Sequence, residues 1–147
     1  MGYTVRDLTD DQARERTTTS ALCLGGLIKH VTRMEQNWAG FIVRGPEALS
    51  SGTDGFADHM ASFRMEEGET LAGLLERYEE VARRTDDLVA SLPSLDASQH
   101  LPSAPWFEPG AHWSARRTLL HVIAETAQHA GHADIIRESL DGAKTMG

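Results

Sequence analysis

An all-α helical bundle is the fold class this sequence predicts, and three observations predict it. Three long segments repeat apolar residues at steps of three and four, the period of a helix with one buried face. No segment alternates apolar and polar residues with period two, and the connections carry the Pro, Gly, Ser and Asp residues that end helices and turn chains. The 147 residues fit one domain, 1–147, and 40% hydrophobic with 24% charged residues is the balance of a packed protein.

The elements follow in order. Leu8 to Arg14 reads as a short, weakly apolar helix capped by Thr9 or Asp10. Between Leu22 and Val43, the residues Leu24, Leu27, Ile28, Val31, Met34, Trp38, Phe41 and Ile42 form one helical stripe, which Gly45-Pro46 ends. Gly25 and Gly26 each cost roughly 1 kcal/mol of helix propensity relative to alanine, so they belong in a frayed first turn or where another backbone comes close. Residues 46–68 read as a surface loop: Ser50 to Gly55 is turn chemistry, and Phe56, Met60 and Phe63 mark one short helix.

From the N-cap Thr70, Leu71, Leu74, Leu75, Tyr78, Val81, Ala82, Leu88, Val89 and Leu92 repeat helically until Pro93. The charges along its other side, from Glu76 to Asp87, read as a solvated back. Residues 93–113 hold four prolines with Trp106, Phe107 and Trp113, an ordered loop pinned by aromatic packing. Trp38, Trp106 and Trp113 are expected as core or loop anchors. Ser114 then caps a long last helix with a stripe of Leu119, Val122, Ile123, Thr126, Ala130, Ala133 and Leu140, which Asp141-Gly142 stops.

Charge and composition narrow the function. Fourteen Lys and Arg against 22 Asp and Glu leave a net charge of −8, which repels phosphate backbones and anionic lipids. Nucleic acid and membrane are therefore not expected partners. The longest nearly apolar run, Ala21 to Ile28, is far short of the roughly 20 residues that span a bilayer. Asp7, Asp10 and Asp11 stand where a secretion signal needs an apolar stretch, so a cytoplasmic protein is expected. Cys23 cannot close an intrachain disulfide by itself and reads as a buried small hydrophobe. No paired-cysteine, phosphate-loop or serine-nucleophile motif is present, which leaves histidine to carry chemistry.

Three of the seven histidines share the last helix with Glu125. His121, Glu125, His129 and His132 fall within an arc of about 80°, because each residue turns a helix by roughly 100°. Glu125 and His129, four apart, can hold one ion together, and His30 sits at the edge of the apolar stripe of the first long helix. Two histidines and one carboxylate from facing helices form a ligand set that leaves positions open for water or substrate. The same spacing also suits ordinary surface pairs and a hydrogen-bonded histidine, so spacing alone leaves both readings standing. His121 reads as a partner of a neighbouring carboxylate or a rim of the cleft, and His132 as a support for a ligand. His59, His100 and His112 are expected in solvent, with His112 beside Trp113 able to rim a pocket.

Two stretches carry a resemblance. Leu24-Gly25-Gly26-Leu27-Ile28-Lys29-His30-Val31, followed by Trp113-Ser114 and the run Leu120-His121-Val122-Ile123-Ala124-Glu125-Thr126-Ala127-Gln128-His129 through Glu138, resembles the DinB/YfiT-like metalloprotein superfamily. The similarity is greatest to its actinobacterial, mycothiol-using branch and runs from about Leu8 to Gly142. It implies an up-down-down-up four-helix bundle with a divalent metal held by His30, Glu125 and His129. Glu125 stands where many members have His, and a His/Glu/His triad is similar to that of the mycothiol-dependent maleylpyruvate isomerases. Relatives begin with a long helix, whereas almost nothing precedes Tyr3 here, so the first helix reads as shortened or missing. An apolar groove left by it would favour a homodimer.

The resemblance implies a thiol S-transferase that conjugates mycothiol or an equivalent low-molecular-weight thiol to an electrophilic small molecule, as in detoxification. In that scheme Zn²⁺ on the triad binds the thiol and yields a metal-bound thiolate near neutral pH. His121 or His132 accepts the released proton or orients Glu125. The donor set suits Zn²⁺ best and accepts Ni²⁺, Co²⁺, Mn²⁺ or Fe²⁺. The rival readings are a thiol-dependent cis-trans isomerase of the maleylpyruvate type, metal-assisted hydrolysis, and a non-catalytic metal-binding stress or interaction protein.

Overall fold

The computed structural model describes residues 1–49 and 55–145, apart from the side chains of residues 55–58. Of the turn expected over Ser50 to Gly55, residues 50–54 lie outside the described residues, as does the side chain of Phe56. A 3-10 turn at Gly2–Val5 leads to α1 (Asp10–Arg14), α2 (Leu24–Arg44), a 3-10 turn at Gly45–Leu49, α3 (Gly55–Ser62), α4 (Leu71–Ser91), β1 (Ser98–His100), β2 (His112–Ser114) and α5 (Ala115–Asp141). The protein is an all-α helical bundle with one small ribbon, as the periodicity predicts. Among the described residues, no helix is long and apolar enough to cross a membrane.

Caps decide where the helices begin and end. Thr9 forms a capping box with Gln12, and Thr70 and Ser114 accept the first free backbone N–H groups of α4 and α5, from Gly73 and Arg117. Cys23 does the same for α2, its Sγ accepting from Gly26, so the buried thiol works as a cap. Gly45 and Gly142 close α2 and α5 with positive φ, a conformation that glycine adopts without a Cβ clash.

Helix α2 is the central element, packed against both α4 and α5. One apolar cluster joins its start (Leu24, Leu27, Ile28) to the start of α4 (Leu71, Leu74) and the end of α5 (Ala133, Ile136), with Val5 and Ala13. A second joins its later turns (Met34, Trp38, Phe41) to Val122 near the start of α5 and to Leu101, Phe107 and Trp113. The first cluster and the Arg77–Gln36 hydrogen bond farther along make α4 parallel to α2, and the two clusters make α5 antiparallel to it, the down-down-up part of the expected order. Arg137 fastens the N-terminal segment to α5: it is buried, donates to the Thr4 and Arg6 carbonyls at 2.8 Å, and pairs with Asp141.

The structure corrects three expectations. The 93–113 loop contains an antiparallel ribbon in which Ser98, Gln99 and His100 pair with Ser114, Trp113 and His112. Three-residue strands are too short to show a period of two. Trp106 is 77% exposed, edge-on to Phe107 and outside the core, while Trp38 is buried and Trp113 is half-buried against it. On α5, Val122 and Ala133 are buried as expected, but Ile123 is 63% exposed and Leu120 and Ile135 lie in the open with it. Apolar residues occur on both sides of this helix, so its buried stripe could not be phased from composition.

Candidate metal centre

Two helices and one short segment meet at the site. His30 comes from the second turn of α2, and Glu125 and His129 come from successive turns of α5, the antiparallel neighbour. One nitrogen of each histidine and one carboxylate oxygen of Glu125 lie within 4.8 Å of one another. Among the described residues this is the one group of three or more His, Cys, Asp or Glu with that convergence. Ligands of a tetrahedral ion with bonds near 2.1 Å stand about 3.4 Å apart, so small side-chain rotations would bring the three to bonding distance. Two imidazoles and a carboxylate have the chemistry of a divalent-metal triad, and the residues present fit such an ion.

The electrostatics suit that use. Burial, then the neighbouring His129, His59 and Arg33, push the His30 pKa down to about 4, so at pH 7 it carries the lone pair a metal requires. Burial also lowers His129, against an opposing pull from Glu125, whose Oε2 is 3.7 Å from its Nε2. The Glu125 side chain is 31% exposed and that of His129 10%, so the triad opens to solvent on the glutamate side.

His121 and His132 occupy different surroundings. The His132 Nδ1 is 3.4 Å from the Nδ1 of His129, on the side of that ring away from Glu125. His121 lies one turn before Glu125, 4.8 Å from the ring of Trp38 and 5.2 Å from that of Trp113. Burial lowers its pKa, with Glu125 pulling the other way. The two tryptophans stack 4.9 Å apart, and Arg117 covers Trp113, forming an aromatic wall against His121.

The short helix expected around Met60 and Phe63 is present as α3, but the place of residues 59–63 beside His30 was not anticipated. Phe63 stacks on the His30 ring at 3.8 Å, Ser62 Oγ is 3.0 Å from His30 Nδ1, and the exposed His59 presents its ring edge-on at 5.5 Å. Only the spacing of Met60 and Phe63 hinted at an ordered element here. His100 and His112 are exposed as expected and face each other across the ribbon, remote in sequence from the triad. Two grooves of about 350 and 290 Å³ run between α2 and α4, and neither is lined by a residue of the triad.

A family model described as Mycothiol-S-transferase matches residues 2–142. The chain belongs to the mycothiol-S-transferase family. This is the mycothiol-related branch to which the His30 and Glu125 to His129 stretches pointed. No curated protein and no solved structure matches the chain. Within the mycothiol-S-transferase match lie all three triad residues, both ends of the ribbon and the Ser62–Phe63 segment.

Proposed function

We propose that this protein is a metal-dependent S-transferase that joins mycothiol, or an equivalent low-molecular-weight thiol, to an electrophilic small molecule. The convergence of His30, Glu125 and His129 carries the reading, and the family match over residues 2–142 supplies the thiol. A divalent ion held by the triad, Zn²⁺ by its donor set, would lower the pKa of a bound thiol and make it nucleophilic at neutral pH.

The chain's own residues do the rest. His30 and His129, kept neutral by burial, and the Glu125 carboxylate are the proposed ligands. The Glu125 carboxylate would offset one of the ion's two positive charges. His121, neutral at pH 7 and one turn away, is the proposed acceptor of the thiol proton. His132 holds the far nitrogen of His129 and is a positioning residue in this reading. The stacked Trp38 and Trp113 back the His121 ring and hold it one turn from Glu125. In the overall reaction the thiol loses its proton, a carbon–sulfur bond forms, and the electrophile releases its leaving group. Cytoplasm, where low-molecular-weight thiols are kept reduced, is the proposed compartment.

The test is the metal content of untagged protein purified without added metal, for wild type and Glu125→Ala, followed by thiol consumption with an activated halide. About one metal per chain, lost in the variant together with thiol transfer, is expected. Turnover of a conjugated acid without net thiol loss would make the protein an isomerase instead. A metal-free wild type with an intact fold would overturn the centre.

A further inference from the structure

The two histidines of the triad do not point freely at their common centre. On the far side of His30, Nδ1 is 3.0 Å from Ser62 Oγ, and Ser62 is almost completely buried. The hydroxyl has a single proton, and it is committed: Ser62 Oγ donates to the His59 carbonyl at 2.6 Å, within the last turn of α3. An oxygen whose proton is already given away can only accept from the imidazole. His30 must then carry its hydrogen on Nδ1, leaving the Nε2 lone pair as the donor available to a metal.

The same segment fixes the ring's plane. Phe63 lies over His30 at 3.8 Å with only 19° between the rings. The backbone that carries it is seated on α2 at Gly26, where an added Cβ would stand 1.9 Å from the Phe63 carbonyl oxygen. At Gly25 a Cβ would stand 2.5 Å from Met65 Sδ. The two glycines thus let residues 63–65 lie directly on the first turn of α2, one turn before His30.

We propose that Ser62 is a positioning residue for the metal centre: its hydroxyl, committed to the His59 carbonyl, holds His30 in the Nδ1–H tautomer and aims Nε2 at Glu125 and His129. This rests on the triad being a metal site, and it extends that site to an element that contributes no ligand. Hydrogen-bond partners of metal-bound histidines set tautomer and orientation, and their loss lowers affinity by roughly 10- to 100-fold.

The test has two arms. In the first, Zn²⁺ affinity at pH 7 is measured by competition with a chromophoric chelator for wild type, Ser62→Ala and Ser62→Thr, beside thermal melts of the metal-free proteins. Ser62→Ala is expected to bind Zn²⁺ about 10- to 100-fold more weakly while its metal-free melt stays cooperative, and Ser62→Thr, which keeps the hydroxyl, to regain most of the affinity. Equal affinity in Ser62→Ala and wild type would overturn the positioning role and leave the metal centre standing. Equal loss in both variants would assign the effect to packing and overturn it as well. Wild type without Zn²⁺ affinity would overturn the centre and this inference together. In the second arm, long-range ¹H–¹⁵N spectra of the metal-free wild type report the His30 tautomer without any substitution. An Nδ1–H ring is expected, and an Nε2–H ring would refute the proposal.

Discussion

Replacing Gly26 with alanine sets two physical effects against each other, and the structure decides between them. Helix propensity alone makes Gly→Ala within α2 favourable by about 1 kcal/mol. The new Cβ, however, would stand 1.9 Å from the Phe63 oxygen, 2.4 Å from its carbonyl carbon and 2.9 Å from the Arg64 nitrogen. These are backbone atoms, so no rotamer change relieves the clash, and the 62–65 segment must retreat by about 1 Å or more. Forced overpacking of this kind costs about 1–3 kcal/mol, and an obstacle made of backbone belongs at the upper end. The net expectation is a loss of about 2 kcal/mol, or about 4–8 °C in Tm for a chain of this size. Urea unfolding followed by circular dichroism, with midpoints compared at constant slope, measures it. Gly131→Ala is the control: its Cβ meets nothing within 4 Å in the middle of α5, so propensity acts unopposed and a gain of about 0.5–1 kcal/mol is expected. If Gly26→Ala is as stable as wild type, the seating of Phe63 on α2 is wrong, and with it the account of how His30 is held.

Other outcomes follow from the same geometry. Arg137→Met removes the donor shared by the Thr4 and Arg6 carbonyls and should cost about 2–4 kcal/mol, because buried acceptors lose their partner; a change under about 1 kcal/mol in urea unfolding would contradict this. In the metal-free protein, His30 has a folded pKa of about 4 against 6.5 when unfolded, so the unfolded chain binds more protons in that window. Stability is therefore present above pH 6.5 and lost as pH falls towards 4, by up to about 3 kcal/mol from this residue, and an equally steep pH dependence in His30→Gln would count against it. Saturating Zn²⁺, at about 100 times its Kd, should stabilise wild type by about 2.7 kcal/mol and leave Glu125→Ala unchanged in thermal melts.

What the sequence disclosed divides along physical lines. The long helices were legible because period and caps agree: Thr70, Ser114, Gly45 and Gly142 stand at the ends where they were expected. The convergence of His30, Glu125 and His129 was legible because four-residue spacing on one helix survives folding unchanged, and because the stretch around His30 has a recognisable form. Glycines 25 and 26 were read as marking either a frayed first turn or a close backbone approach; both lie in the first turn, and the approach holds at Gly26, against Phe63 and Arg64, while Gly25 faces the Met65 side chain. Ser62 left no signal, since a serine in a short polar segment acquires its role only when α3 is carried back across α2. The ribbon was too brief for periodicity, and Ile123 was misplaced because α5 carries apolar residues around much of its circumference.

Ser114 belongs to two structures at once: it is the last residue of β2 and the N-cap of α5. Backbone pairing with Ser98 therefore sets where α5 begins, and a helix that begins at a fixed residue has a fixed rotational phase eleven and fifteen residues later, at Glu125 and His129. The stretch that loops out between the strands, with the exposed Trp106 at its tip, is free of that duty. Its tip can change side chains while the strands stay paired and the helix keeps its phase, whereas Leu101, Phe107 and Ala111 on either side of the tip remain packed in the second core cluster. The fold thus ties the phase of Glu125 and His129 to one backbone pairing and leaves the exposed tip of the loop outside that coupling.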